Sequence, residues 1–406
     1  MDVLKFKSNK TGSGSYVMLV LSMLVLLTAP SSAIARDDNA IATLRAIGKT
    51  FAAIADKASP AVVVLTIDEP NSKIQLDLDP WQIFVPANRQ MIPLPEPPGN
   101  PQPIHPNLPR TRPSSPRIQK PGPKARGLGI IVSKDGHILT CNHIIDGAKK
   151  INAELADGRE FEAEIIGTDP ETDIAVLKID ANNLPVLKLG DSDALEVGDW
   201  VVGIGNAMGV GRTFAAGLVT AKSIGLGLAA LEDLVQTSIN LQTGDGGGPL
   251  LDLDGNVIGI NFAIMGERGM GISFAIPAGM VKDTYEQLIQ TGTVERGFLG
   301  IGFKEVDVQM AEALDLETTE GVIVNHIVKD SAAEKAGIKR YDIFVELNGE
   351  PVESATGLLM SVATLKPGTQ VDVVVMRDGQ SRSLTVTLGK RPSEQEQKPD
   401  DVPNAP

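Results

Sequence analysis

Between Gly127 and Pro277 the chain is written in short apolar runs punctuated by Gly, Asp and Asn, and that pattern narrows its possible folds more than any other feature. Gly129-Ile130-Ile131-Val132, Ile174-Ala175-Val176-Leu177, Trp200-Val201-Val202-Gly203-Ile204 and Val257-Ile258-Gly259-Ile260 are rich in β-branched residues and bounded by turn formers. Runs of this kind read as strands. Aromatic residues make up only 4% of the chain, whereas it holds 41 Gly and 27 Pro, which favours many short strands over a helical bundle. A length of 406 residues predicts two or three folding units with ample apolar material for their cores.

The first residues read as an export signal. Lys5, Lys7 and Lys10 precede an apolar stretch from Val17 to Ala29, and Ala33-Ile34-Ala35 follows as a cleavage site. The expectation is a signal peptide over 1–35, cleaved after Ala35, and a periplasmic or otherwise exported product with no stable membrane span. The alternative is an uncleaved anchor, against which stands a stretch of about 13 apolar residues where ~20 are needed. Cys141 is the only cysteine, so no internal disulfide can form. The net charge is −14, and losing residues 1–35 removes three Lys and one Asp, making the chain more acidic still. That balance argues against nucleic acid or an anionic membrane as a partner.

From Ala40 to Ser59 the spacing of Ile41, Leu44, Ile47, Phe51 and Ile54 predicts a helix leading into a strand at Ala61–Leu65. An insertion at about 80–125 follows, densest in proline between Pro93 and Pro123, with Arg110, Arg112, Arg117, Lys120 and Lys124 in or after its second half. It reads as an extended arm without a core of its own, either a docking element or a solvated spacer. His105 and Trp81 are too isolated to mark a ligand site. A helix is expected over Ala278–Ile289, and the polar tail 392–406 should be disordered.

Three segments stand in a telling order: His143 in HILTCNHIIDGA, Asp173 in DPETDIAVLKI, and Gly244-Asp245-Gly246-Gly247-Gly248-Pro249 in LQTGDGGGPLLDLDGNVIGIN. Together with GLGIIVSKDG at Gly127, LKLGDSDALEVGDWVVGIGNAMG at Leu187 and GISFAIP at Gly271, they resemble trypsin-like serine proteases of the HtrA (Deg) family from about Phe51 to Lys390. The resemblance implies a mostly β chain: a trypsin-like double antiparallel β-barrel over 36–292, followed by an α+β PDZ domain over 293–391. It implies that His143 is the general base, that Asp173 orients it, and that the backbone N–H groups of Gly244 and Gly246 hold an oxyanion. Asn261, Phe262 and Ala263 resemble the strand lining the substrate pocket, which implies apolar preference. The family's nucleophilic serine, however, aligns with Gly246, and its asparagine before that serine with Asp245.

A hydrogen atom cannot attack a carbonyl, so a degenerate nucleophile position predicts no proteolysis. Asp245 is a weak nucleophile toward amides and carries charge beside the developing oxyanion. Thr243 and Ser238 lie upstream of the turn that aims the hydroxyl. Cys141, two residues before His143, points the same way if the segment is a strand, without occupying the nucleophile's place. Three successive glycines predict a loose loop with a poorly formed oxyanion hole. His143 and Asp173 then persist either as a structural pair or as a site turned to metal binding; four His without clustered spacing give the metal reading little support, and neither metal nor cofactor is expected.

After Glu295, Gly297-Phe298-Leu299-Gly300-Ile301 resembles the carboxylate-binding loop of a PDZ domain, with further landmarks in KDSAAEKAGIK at Lys329, DIFVELNGEPVES at Asp342, a helix near Gly357–Thr364 and VDVVVMRDG at Val371. The functional expectation is an exported, inactive protease homologue that binds unfolded proteins or hydrophobic C-termini in periplasmic quality control or as a scaffold. The resemblance also implies a homotrimer or a mixed assembly with an active paralogue. The alternative is an HtrA-type serine endopeptidase with residual or unconventional activity.

Overall fold

The computed structural model describes residues 38–68, 124–206, 211–242, 244–265, 271–306, 310–311 and 321–392. The export segment 1–35, the proline-dense part of the insertion up to residue 123, Thr243 and the tail from 393 lie outside them. The chain divides into two compact units, Met1–Thr50 and Phe51–Pro406. The described part of the first is the start of helix α1 (Asp38–Ala58), with Leu44 and Ile47 exposed.

In the second unit, twelve strands close into two six-stranded antiparallel barrels. The first joins β1 (Val62–Asp68), β2 (Lys124–Ile131), β3 (His137–Cys141), β4 (Lys150–Glu154), β5 (Glu160–Asp169) and β6 (Ile174–Ile179) in the order β1-β2-β3-β6-β5-β4. The second joins β7 (Trp200–Gly205), β8 (Thr213–Ile224), β9 (Leu234–Thr237), β10 (Pro249–Leu251), β11 (Val257–Met265) and β12 (Ile272–Pro277) in the order β10-β11-β12-β9-β8-β7. Closure pairs every strand on both sides and leaves no free edge. Leu65, Ile130, Leu139, Val176 and Leu177 from the first barrel and Val202, Leu251, Val257 and Ile260 from the second are fully buried and belong to one continuous core. Burial of each such side chain stabilises the fold by roughly 1.5–3 kcal/mol.

Two helices join these elements. α2 (Asn142–Ile145) is a single turn after β3, and α3 (Ala278–Thr291) follows β12 and stops at Gly292, whose φ of 74° closes it as a left-handed cap. A separate apolar core, centred on Phe344, Val322, Val324, Val373 and Val375, marks the C-terminal sheet. Its main path is β14 (Ile301–Glu305), β15 (Val322–Ile327), β16 (Ile343–Leu347), β18 (Gln370–Arg377) and β19 (Gln380–Thr387), with β17 (Glu350–Pro351) against β16 and a short pair of β13 (Gly297–Phe298) with β20 (Gly389–Lys390). Its helices α4 (Ala332–Ala336) and α5 (Ala355–Ala363) start where Ser331 and Ser354 accept the N–H of Glu334 and Gly357. The fold is thus mostly β, a trypsin-like double barrel followed by a PDZ-type region.

Candidate active site and peptide groove

The site begins with a strand register. β3 and β6 pair antiparallel with Cys141 opposite Ile174, so the residue before β6, Asp173, lies beside the turn that follows β3. Asp173 has φ 59°, a left-handed conformation that aspartate tolerates better than most residues. Its carbonyl accepts the N–H of Asn142 at 2.9 Å and its Oδ1 the N–H of His143 at 2.7 Å, while its Oδ2 lies 2.5 Å from His143 Nδ1. A carboxylate only accepts, so Nδ1 carries the proton and Nε2 is left basic. The Phe262 ring meets the imidazole nearly edge-on, with centroids 6.1 Å apart. His143 sits on the helical turn α2 rather than on a strand, so the expectation that Cys141 and His143 share a strand face is corrected.

The glycine loop faces this pair from the second barrel. Leu128 N–H donates to Gly246 O, Gly247 N–H to Asn261 O and Asn261 N–H to Gly248 O, each at 2.8 Å. Gly247 has φ +80°, and a Cβ there would stand 2.1 Å from Leu128 O, so the position admits only glycine. These bonds correct the expectation of a loose loop: the entropy cost of the glycines is met by backbone pairing on both sides. The N–H groups of Gly244 and Gly246 donate to no described residue.

At Gly246 itself, a Cβ would make ordinary contacts: 3.6 Å from Ile144 Cδ1, 3.9 Å from Asn261 O and 3.9 Å from His143 Nε2. One further bond would bring a hydroxyl oxygen into hydrogen-bonding range of the imidazole. Of the other groups considered as substitutes, Ser238, Cys141 and Asp245 are engaged, while Thr243 lies outside the described residues. Ser238 Oγ accepts the Leu218 N–H at 2.9 Å. Cys141 is fully buried, its Sγ 3.5 Å from Asn261 O, and burial, then the Asp173 charge, pushes its thiol well above the usual range. Ligand atoms of Cys141, His143 and Asp173 lie within 4.8 Å of one another. Both Asp173 oxygens bond the His143 segment, and the Cys141 thiol is directed at Asn261 O.

Asp245, 3% exposed, turns its carboxylate onto the backbone, accepting the N–H groups of Asn206 at 2.6 Å and Gln242 at 2.7 Å. Burial raises its pKa, only partly offset by those bonds. A raised folded pKa means that the native state binds more protons than the unfolded chain in the window above the unfolded value, so ionisation costs stability as pH rises through it. Stability of the unmodified protein relative to Asp245→Asn should therefore improve as pH falls from 7 toward 4 in urea titrations; a difference independent of pH would contradict the assignment.

In the PDZ-type region, Gly297, Phe298, Leu299, Gly300 and Ile301 do line one groove, together with Phe303, Leu358, Leu359, Val362 and Arg391. The N–H groups of Leu299 and Gly300 donate to no described residue. Gly300 has φ +77°, and a Cβ on it would meet Ser331 Cβ at 2.3 Å, so a side chain there would force the loop apart.

Sequence reasoning missed an ion-paired junction. Arg296, 7% exposed, clamps Asp169 through Nη1 at 2.9 Å and Nη2 at 2.5 Å. Thr172 Oγ also donates to Asp169. Arg391 Nε donates to Glu171 Oε1 at 2.6 Å, and its N–H to Arg296 O at 3.0 Å. Asp169 and Arg296 are 127 residues apart, and no local pattern signals their meeting.

The double barrel with a His–Asp pair facing a glycine loop defines the class of the trypsin-like peptidases, here with a region of PDZ type appended. The family model for a trypsin-like peptidase domain matches residues 127–260, and that for a PDZ domain residues 297–388. A probable periplasmic serine endoprotease, DegP-like, of Chlamydia trachomatis serovar D is 37% identical over 365 residues, covering 86% of this chain and 70% of that protein. Its counterpart in Chlamydia muridarum is 43% identical over 272 residues, 66% of this chain but only 55% of the relative. Among solved structures, the HtrA-type protease AlgW with a tripeptide superimposes with a TM-score of 0.67 at 32% identity, covering 85% of this chain and 98% of that one. The chain belongs to the HtrA/DegP family of periplasmic serine endoprotease homologues. Among the described residues no helix is long and apolar enough to cross a membrane.

Proposed function

We propose that this protein is an exported HtrA-type homologue that captures peptides without cleaving them, His143 and Asp173 being the remnant of a catalytic triad and Gly246 its vacated nucleophile position. The observation that carries the reading is the placement of Gly246: its Cβ direction comes within 3.9 Å of His143 Nε2, and no side chain follows. In this reading Asn261, Phe262 and Ala263 form the wall of the substrate pocket, a role supported by the Phe262 ring lying against the His143 imidazole, and Gly244 and Gly246, whose N–H groups donate to no described residue, supply the oxyanion donors. The acidic chain, with a net charge of −14, does not suit a nucleic acid or an anionic membrane.

The recognition element is the PDZ groove. Free N–H groups at Leu299 and Gly300 suit a terminal carboxylate, and Ile301, Leu358 and Val362 suit apolar side chains of a peptide laid along β14. The clients are unfolded proteins or peptides with hydrophobic C-termini in periplasmic quality control, met by a homotrimer or by a mixed assembly with an active paralogue. The relative with a bound tripeptide supports peptide capture by this architecture.

Fluorescence anisotropy with a labelled peptide ending in an apolar residue provides the test. Amidating its C-terminus should weaken binding at least about tenfold, the equivalent of one lost charge-assisted hydrogen bond or more, and Leu359→Glu should do the same from the other wall of the groove. Equal affinity for the free acid and the amide, or clients bound as tightly after deletion of the PDZ region, would overturn the proposal.

A further inference from the structure

The vacated site retains every component of acyl-transfer chemistry except the tethered nucleophile. His143 Nδ1 is held on Asp173 at 2.5 Å, leaving Nε2 as the base. The His143 side chain is 27% exposed, so solvent reaches it. The N–H groups of Gly244 and Gly246 are committed to no described residue. A Cβ placed on Gly246 would make only ordinary contacts, 3.6 Å from Ile144 and 3.9 Å from Asn261 O and His143 Nε2, so the space in front of the imidazole is not filled from this residue. A water molecule is the size of that missing hydroxyl.

We infer that the site hydrolyses carboxylic esters of apolar acyl groups, with water in place of the serine oxygen and His143 as its general base; this rests on the reading of Gly246 as the nucleophile position. Water attacks the ester carbonyl carbon, forming a C–O bond, as its proton passes to His143 Nε2. The carbonyl electron pair collects on the oxygen facing the N–H groups of Gly244 and Gly246. Collapse of the tetrahedral intermediate breaks the bond to the alcohol oxygen, which takes the proton back from His143 and departs. One water is consumed, one acid and one alcohol are released, and the base is regenerated.

The difference from proteolysis lies in the leaving group. An amine leaves a tetrahedral intermediate reluctantly, and a free water lacks the entropic advantage of a tethered hydroxyl. An activated ester needs less of both. The Phe262 ring, which meets the imidazole nearly edge-on, sets the preference for apolar acyl chains.

The experiment is turnover of 4-nitrophenyl butyrate by the purified protein, with intact-mass measurement during the reaction. Turnover should fall about 10²-fold in His143→Ala, the range assigned to a positioned general base. It should fall in Gly246→Ala, whose methyl group narrows the space left for that water without a clash, and Asp173→Asn should lower it through the wrong imidazole tautomer. Turnover indifferent to His143→Ala and Gly246→Ala would overturn the inference, as would a stable acyl adduct on the unmodified protein, which would make the imidazole a nucleophile. Peptide capture is read separately by anisotropy and casein stability, so loss of the ester activity leaves the binding role standing, and the converse also holds.

Discussion

Gly246→Ser should convert the protein into a casein-cleaving endopeptidase, with a rate on the order of 10⁶-fold above that of the unmodified chain, the loss that removing a triad nucleophile causes in well-studied proteases. The geometry is ready for it. The added Cβ meets nothing closer than 3.6 Å, and its direction leads toward His143 Nε2. The base is already oriented, since both carboxylate oxygens of Asp173 hold the His143 segment. His143→Ala in the Gly246→Ser background should abolish the gained activity. Asp245→Asn together with Gly246→Ser gives the family's residues at both positions and serves as the second variant. Cleavage by the unmodified protein, lost in His143→Ala, would sink the inactive reading and transfer attention to Asp245, Thr243 and Cys141. A folded double variant that remains silent would show that the dyad and the loop are not in register for peptide substrates.

Arg296→Ala should cost about 3–5 kcal/mol of stability, the range for breaking one partner out of a buried ion pair. Arg296 and Asp169 are 7% and 4% exposed, so neither charge has water to fall back on once the other is gone. Arg296→Lys should recover only part of the loss, because a point charge cannot reproduce the two parallel bonds of the guanidinium. Replacing the pair by Met at 296 and Leu at 169 should restore most of it, since the desolvation of both charges is then avoided. Urea unfolding of the full chain reads all three; a loss below about 1 kcal/mol in Arg296→Ala would show that the junction is hydrated and weak.

How much of this was legible beforehand follows the range of the interactions concerned. Strand runs such as Ile174–Leu177 and Val257–Ile260 declare themselves through local composition, and both became barrel strands. The predicted helix at Ala278–Ile289 ends two residues later, where Gly292 supplies the cap. His143 and Asp173 were recognisable as a pair from their flanking motifs, but that His143 rides a helical turn was not, because four residues carry no periodicity. The firmness of the Gly246–Gly248 loop escaped reading for another reason: glycine's entropy is local, whereas its pairing with Leu128 and Asn261 comes from distant strands. Asp245 looked like a charge aimed at the reaction, and only the fold shows it spent on the N–H groups of Asn206 and Gln242.

The paired arginines at the PDZ junction bear on length. Arg296, where the chain enters that region, and Arg391, where it leaves, grip carboxylates at the end of β5 and in the turn just after it, and they are bonded to each other through the backbone. An appended module held at both its entrance and its exit has no free leash. On the proposed reading of the groove, a client caught by its last residue would start from a fixed origin, and the number of residues between its end and the stretch laid beside His143 would be set by that origin rather than by diffusion. The groove would then act as the zero mark of a ruler, and clients differing only in tail length should differ in which segment they offer to the barrels.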